Sequence, residues 1–141
     1  MRFYNRVIID DGFEILEEYL RRTEPRKGRR AGDVFLKWLL NNQHNAAHVE
    51  QVPIAASAGD SYTEVDALGL TINIDRSDRK FVAVAARRRR KTPIWQAADS
   101  KWLDWWAALR AVGIEVEFLC PADLQRHYRR KFPKRPNPPL P

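Results

Sequence analysis

The chain reads as an α/β protein, a three-layer α/β/α domain around a mostly parallel central sheet. Two observations predict this. Short β-branched or alternating apolar runs take turns with helical patterns along the 141 residues, the signature of βαβ units. Acidic residues gather just after those runs, at the carboxyl ends of strands, where parallel sheets bind ligands. By length this is one domain, with residues 1–132 as the α/β unit and 133–141 as a proline-rich basic tail.

Val7-Ile8-Ile9 is the first buried strand, ending at Asp10-Asp11-Gly12. Phe13, Leu16, Tyr19 and Leu20 then recur at helical spacing, with Glu17–Arg21 and Glu18–Arg22 as i,i+4 pairs. A basic loop over 22–30, broken by Pro25 and Gly28, leads to a second helix carrying Phe35, Leu36, Leu39 and Leu40. Val49 to Ile54 is a strand whose Pro53 marks an edge or a terminus. Residues 55–70 form an irregular connection with a short helix around 64–68, and Leu70 to Ile74 alternates as a short strand. Ser77 is placed as the N-cap of a helix presenting Phe81, Val82, Val84 and Ala85, with Asp78 in its first turn.

Pro93 to Ala97 is the next strand, ending at Asp99-Ser100. The following helix turns Trp102, Leu103, Trp106 and Leu109 inward, leaves Trp105 off that face, and stops at Gly113. Ile114 to Phe118 alternates as a strand, and Pro121 opens a last helix to about Phe132. The five prolines beyond forbid regular structure, so the tail is expected to be disordered or polyproline-like.

The formal charge is +7, an excess that draws nucleic acid or an acidic partner. It is concentrated in Arg87-Arg88-Arg89-Arg90-Lys91 and in a C-terminal set that includes Arg129 and Arg130. These are the candidate nucleic-acid contacts, although such runs more often form a plain solvated surface. No apolar run approaches the roughly 20 residues of a membrane helix, and the opening residues lack a signal-peptide pattern. With a single cysteine, Cys120, no internal disulfide forms. A cytoplasmic location is expected. His44, His48 and His127 lack zinc-ligand spacing, and Cys120 reads as an inert packed thiol.

The chemistry that remains is acidic. Asp10 and Asp11 follow the first strand, Asp99 follows the 93–97 strand with Asp104 beyond it, Asp78 opens a helix, and Glu18 leans in from the first helix. Clustered carboxylates raise one another's pKa unless a counter-ion is present. A hard divalent ion such as Mg²⁺ removes that cost and activates water for phosphodiester cleavage. Each residue also has an ordinary reading: Asp78 as a helix-start acid, Asp10-Asp11-Gly12 as a turn, Glu18 as the partner of Arg22.

The stretch Asp75-Arg76-Ser77-Asp78-Arg79-Lys80-Phe81-Val82-Ala83-Val84-Ala85, followed by a strand ending near Asp99-Ser100-Lys101-Trp102, resembles the second half of PIN domains. Ile15-Leu16-Glu17-Glu18-Tyr19 resembles the segment that supplies that family's glutamate. Residues 32–38 and 116–121 resemble stretches of a bacterial PIN-like subgroup. The resemblance implies a PIN-like, Rossmann-like fold and a ribonuclease dependent on Mg²⁺ or Mn²⁺. Its catalytic and metal-binding residues would be Glu18, Asp78 and Asp99, helped by Asp10. PIN domains begin with a strand ending in Asp-Thr-Asn, which is not found here. Val7 to Asp11 aligns with their second strand, so a first β-α unit on the order of 40 residues is expected to be missing.

The partners implied are RNA, an antitoxin of a toxin–antitoxin pair, a protein that completes the sheet, or a second copy in a homodimer. Two other readings stand beside the nuclease: an inactive PIN-like remnant that binds nucleic acid, and an interaction protein that is stable only with its partner.

Overall fold

The computed structural model describes residues 6–24, 26–88 and 92–141. The chain is a mixed α/β protein. β1 (Val7–Asp10), α1 (Glu14–Arg22), α2 (Ala31–Asn42) and β2 (Val49–Val52) are followed by β3 (Ala56–Ser57), β4 (Ser61–Tyr62) and α3 (Thr63–Asp66). After a 3₁₀ turn (Arg76–Asp78) come α4 (Arg79–Arg87), β5 (Ile94–Gln96), α5 (Trp102–Ala111), β6 (Val116–Phe118) and α6 (Pro121–Lys131). Among the described residues the strands form three two-stranded ladders. β1 and β2 are parallel, with Val7 opposite Val49 and Asp10 opposite Val52. β5 and β6 are parallel, with Ile94 opposite Val116. β3 and β4 make a small antiparallel pair.

The parallel pairing follows from the crossovers between the strands. Helices α1 and α2 separate β1 from β2, and α5 separates β5 from β6, as parallel neighbours require. The turn into α1 is built by Asp10, which is fully buried. Its carboxylate accepts the N–H groups of Glu14 (2.8 Å) and Ile15 (2.9 Å), two donors that a new helix otherwise leaves orphaned. A Cβ on Gly12 would stand 3.3 Å from that carboxylate, so glycine keeps the approach open. Gly113, at φ +87°, ends α5 as expected. Its N–H bonds the Arg110 carbonyl while Ile114 bonds back to Leu109, the Schellman arrangement.

Among the described residues three apolar clusters form the core, and α4 serves the two larger ones. Val82, Ala83, Ala85 and Ala86 join Trp102, Trp105, Leu109, Ile114 and Val116 in one. Val84 joins Ile9, Ile15, Leu16, Leu36 and Leu39 in the other. Small alanines let α4 approach both β1 and β5 closely.

The structure departs from the sequence reading in several places. Residues 70–74 are not a strand. The Ile74 carbonyl is taken by the Arg79 guanidinium (3.0 Å), which also holds Asn73 (3.1 Å), so side-chain bonds replace a ladder. Ser77 makes no cap; the turn closes by Asp78 N–H donating to the Asp75 carbonyl (2.9 Å). Trp105 is buried at 7 % exposure, edge-on to Trp102, whereas Trp106 is only half-buried. The reason is core packing: Trp105 stands edge-on to Trp102 inside the apolar cluster, while Trp106 lies at its margin. Expected to be disordered or polyproline-like, residues 133–141 carry no helix or strand but run back along α5, where the Trp106 indole donates to the Pro139 carbonyl (3.0 Å). Arg135 stacks on Phe132 at 4.4 Å and pairs with Asp104 at 3.4 Å. Cys120, expected to be a packed thiol, is exposed at the start of α6.

No helix among the described residues is long and apolar enough to cross a membrane.

Leu36 is fully buried and Leu20 is 42 % exposed. In urea denaturation Leu36→Ala is therefore expected to cost about 2–5 kcal/mol, and Leu20→Ala under about 1 kcal/mol. Equal losses would show that the α1–α2 cluster is not the packed core described.

Candidate functional site

Asp78 sits where the 3₁₀ turn meets α4, pulled inward because the helix behind it is buried. Asp99 follows β5 in the loop that starts α5; its Oδ1 accepts the Lys101 N–H (3.0 Å), and its own N–H donates to Gln96 Oε1 (3.3 Å). That local turn throws the Lys101 side chain back over the strand end. Its Nζ bonds the Asp75 carboxylate and lies 3.7 Å from Asp78 Oδ2 and 3.8 Å from Asp99 Oδ2. Three carboxylates, two from the 3₁₀ turn and one from the loop after β5, thus surround one ammonium.

Glu18 stands on the neighbouring helix α1. It bonds the buried Lys80 of α4 and pairs with Arg22 at 3.2 Å, as its i,i+4 spacing predicts. Its charge still reaches the Asp group. Burial pushes the Asp78 carboxyl above its usual range; Lys101 pulls it back, and repulsion from Asp99, Asp75 and Glu18 adds to the rise. Lys101 goes the other way. Its burial works against the charge, but the bond to Asp75 and the three negative neighbours outweigh it and raise its pKa, so the ammonium persists.

The structure brings Glu18 and Asp99 within electrostatic reach of Asp78. Asp10 is engaged otherwise: both of its oxygens cap α1, and it is not among the charges that bear on Asp78. Asp11 is exposed in the turn after β1. Asp104 is tied to the Tyr128 hydroxyl (2.6 Å) and to Arg135, away from the group. Sequence reasoning passed over Asp75, Lys80 and Lys101. The available signal was the Asp75-x-x-Asp78 spacing and a lysine two residues after Asp99.

Among the described residues, no three histidine, cysteine or acidic side chains stand close enough to hold one ion together. The donor set nevertheless has the chemistry of a hard-cation site. Mg²⁺ commonly takes one or two carboxylates and fills its remaining positions with water, and Asp78 and Asp99 face the same positive charge. A cavity of about 520 Å³ lies elsewhere, between β6 and the tail, lined by Pro93, Val116, Phe118 and Leu140 among others. It contains none of the three aspartates.

Of the basic residues predicted to meet nucleic acid, Arg129 and Arg130 are exposed on α6, flanked by Arg126 and Lys131. Arg87 is exposed, and Arg88 is bonded to Glu50. Arg89, Arg90 and Lys91 lie outside the described residues.

No protein-family model, curated protein or solved structure matches the chain.

Because the Asp78 pKa is raised in the fold, its charged form destabilises the native state at neutral pH. That cost disappears as pH falls through the raised pKa toward the ordinary 3.8. In metal-free buffer Asp78→Asn should therefore be more stable than the parent at pH 7, with the difference shrinking as pH approaches 4. Chemical denaturation at several pH values checks this; a variant less stable at pH 7 contradicts it.

Proposed function

We propose that the chain is a PIN-like endoribonuclease that cleaves RNA with Mg²⁺ or Mn²⁺, Asp78 and Asp99 holding the ion and Glu18 adding its charge. The observation that carries this reading is the convergence of Asp75, Asp78 and Asp99 on a single cationic point beside a strand end and a helix start. When bound, the metal would supply an activated water and neutralise charge on the phosphodiester. The chain's own part is to hold carboxylates ready to receive a cation, Asp78 buried and Asp99 at the mouth, and to present Arg129 and Arg130 to the phosphate backbone. In this reading the two parallel pairs belong to one three-layer α/β/α sheet of PIN type, with α4 lying across both. A toxin role with an antitoxin partner follows from the sequence resemblance alone.

A second reading is favoured by the ion pairs themselves. Every acid in the group has an ammonium beside it: Lys80 on Glu18, and Lys101 on the three aspartates. A chain whose acids are internally neutralised, with an exposed cationic face on α6, suits a non-catalytic RNA-binding protein.

Cleavage of labelled single-stranded RNA in Mn²⁺ and in EDTA separates the two. Under the nuclease reading, activity requires the metal, and Asp78→Asn and Asp99→Asn each lower it by roughly 10²-fold or more. Metal-dependent cleavage unchanged in both variants would end that assignment. Under the binding reading there is no cleavage; affinity falls with salt at a log–log slope of about −0.7 per phosphate contact. Arg129→Ala with Arg130→Ala then reduces the slope by about 1–2.

A further inference from the structure

We infer that Lys101 is a resident competitor for the divalent cation, its ammonium holding the Asp75–Asp78–Asp99 pocket closed until a metal ion displaces it. The inference rests on reading that pocket as a cation site and adds its regulation.

The argument starts from which acid the lysine serves. Asp75 is the most exposed of the three side chains and Asp78 the least, and the ammonium is bonded to Asp75. Asp78, only 9 % exposed, receives no hydrogen bond among the described residues; Lys101 Nζ, 3.7 Å away, is beyond bonding range. An ionised carboxylate can accept about four hydrogen bonds. The innermost acid therefore relies on through-space attraction and on the little solvent that reaches it, and it faces the point where positive charge sits.

One lysine also leaves the group under-neutralised, with three carboxylates against a single positive charge. A divalent ion matches that charge better and can bind the Asp78 and Asp99 oxygens directly, which the ammonium, bonded to Asp75, does not. Lys101 is built to yield. Its backbone is fixed by the Asp99 turn, while its flexible four-carbon stem is partly exposed and passes near Trp105, with Nζ 5.7 Å from the ring centroid. A metal arriving at Asp78 and Asp99 must displace this charge, so the lysine sets how much free metal the pocket requires.

The test is Mn²⁺ binding, read by loss of the free-ion paramagnetic resonance signal and independent of any cleavage. Lys101→Met keeps the stem and removes the charge; Lys101→Arg keeps the charge. Removing a unit charge about 4 Å from two anions should tighten Mn²⁺ binding about tenfold or more. The Arg variant should bind no tighter than the parent. Adding Asp78→Asn to Lys101→Met should abolish the gain. If the parent binds Mn²⁺ and the Met variant binds no tighter, the role given to Lys101 is overturned while the cation site stands. A gain that survives Asp78→Asn also overturns it, since the ion is then held elsewhere. If neither the parent nor any variant binds, the cation site and the role of Lys101 fall together. Circular dichroism confirms that each variant is folded, and Lys101→Gln provides the same comparison if the Met variant is not.

Discussion

Helix α4 has almost no solvent-facing side, and a helix buried that way must satisfy two neighbours at once. Alanines at 83, 85 and 86 keep it thin enough to lie against the β5–β6 cluster, while Val84 and the flank of Phe81 reach the β1–β2 cluster. Close packing of this kind leaves little room for adjustment. Whatever opens α4 is therefore carried to a fixed place between the two strand pairs. The residue that opens it is Asp78, so the burial of the acid follows from the packing of the helix behind it.

That placement has an energetic cost, because a carboxylate near two others and far from water resists ionisation. Lys101 offsets part of it, while Lys80 neutralises the neighbouring Glu18. Lys80 lies two residues after Asp78, points back to Glu18 on α1, and is itself buried. Buried ion pairs often contribute little net stability, and neither lysine is needed to fill a core. Their effect is to hold four acids close together.

Much of this was legible in the sequence. Periodicity located α1, α2, α4, α5 and α6, and the β-branched or alternating runs located the four strands of the parallel pairs, because each signal rests on which face meets the core. Gly113 marked the end of α5, since a positive φ there suits glycine. What failed were features decided by partners distant in sequence. Residues 70–74 alternate like a strand, yet Arg79 bonds the Ile74 carbonyl and the Asn73 side chain. Trp105 lies deeper than Trp106 because it packs against Trp102 within the core cluster, and the helical wheel does not show which of two neighbouring tryptophans that cluster takes. At the candidate site, Asp78 and Asp99 could be picked out by their positions at element boundaries, and Glu18 by its place on the first helix. Lys101 could not, because its role depends on a two-residue turn that folds its side chain over a strand end.

The division of the strands into pairs has a consequence for how the molecule assembles. Each parallel pair closes over its own helical crossover, β1 to β2 through α1 and α2, β5 to β6 through α5. Neither closure needs the other half of the chain, so each half can gather its contacts with modest loop-closure entropy. The two halves become one cooperative unit when α4 docks on both. The acidic pocket draws on Glu18 from the first half, Asp99 and Lys101 from the second, and Asp75 and Asp78 from the joint between them. It is therefore complete only when both halves and the joint are in place, and a chain with its halves apart has no such group to present.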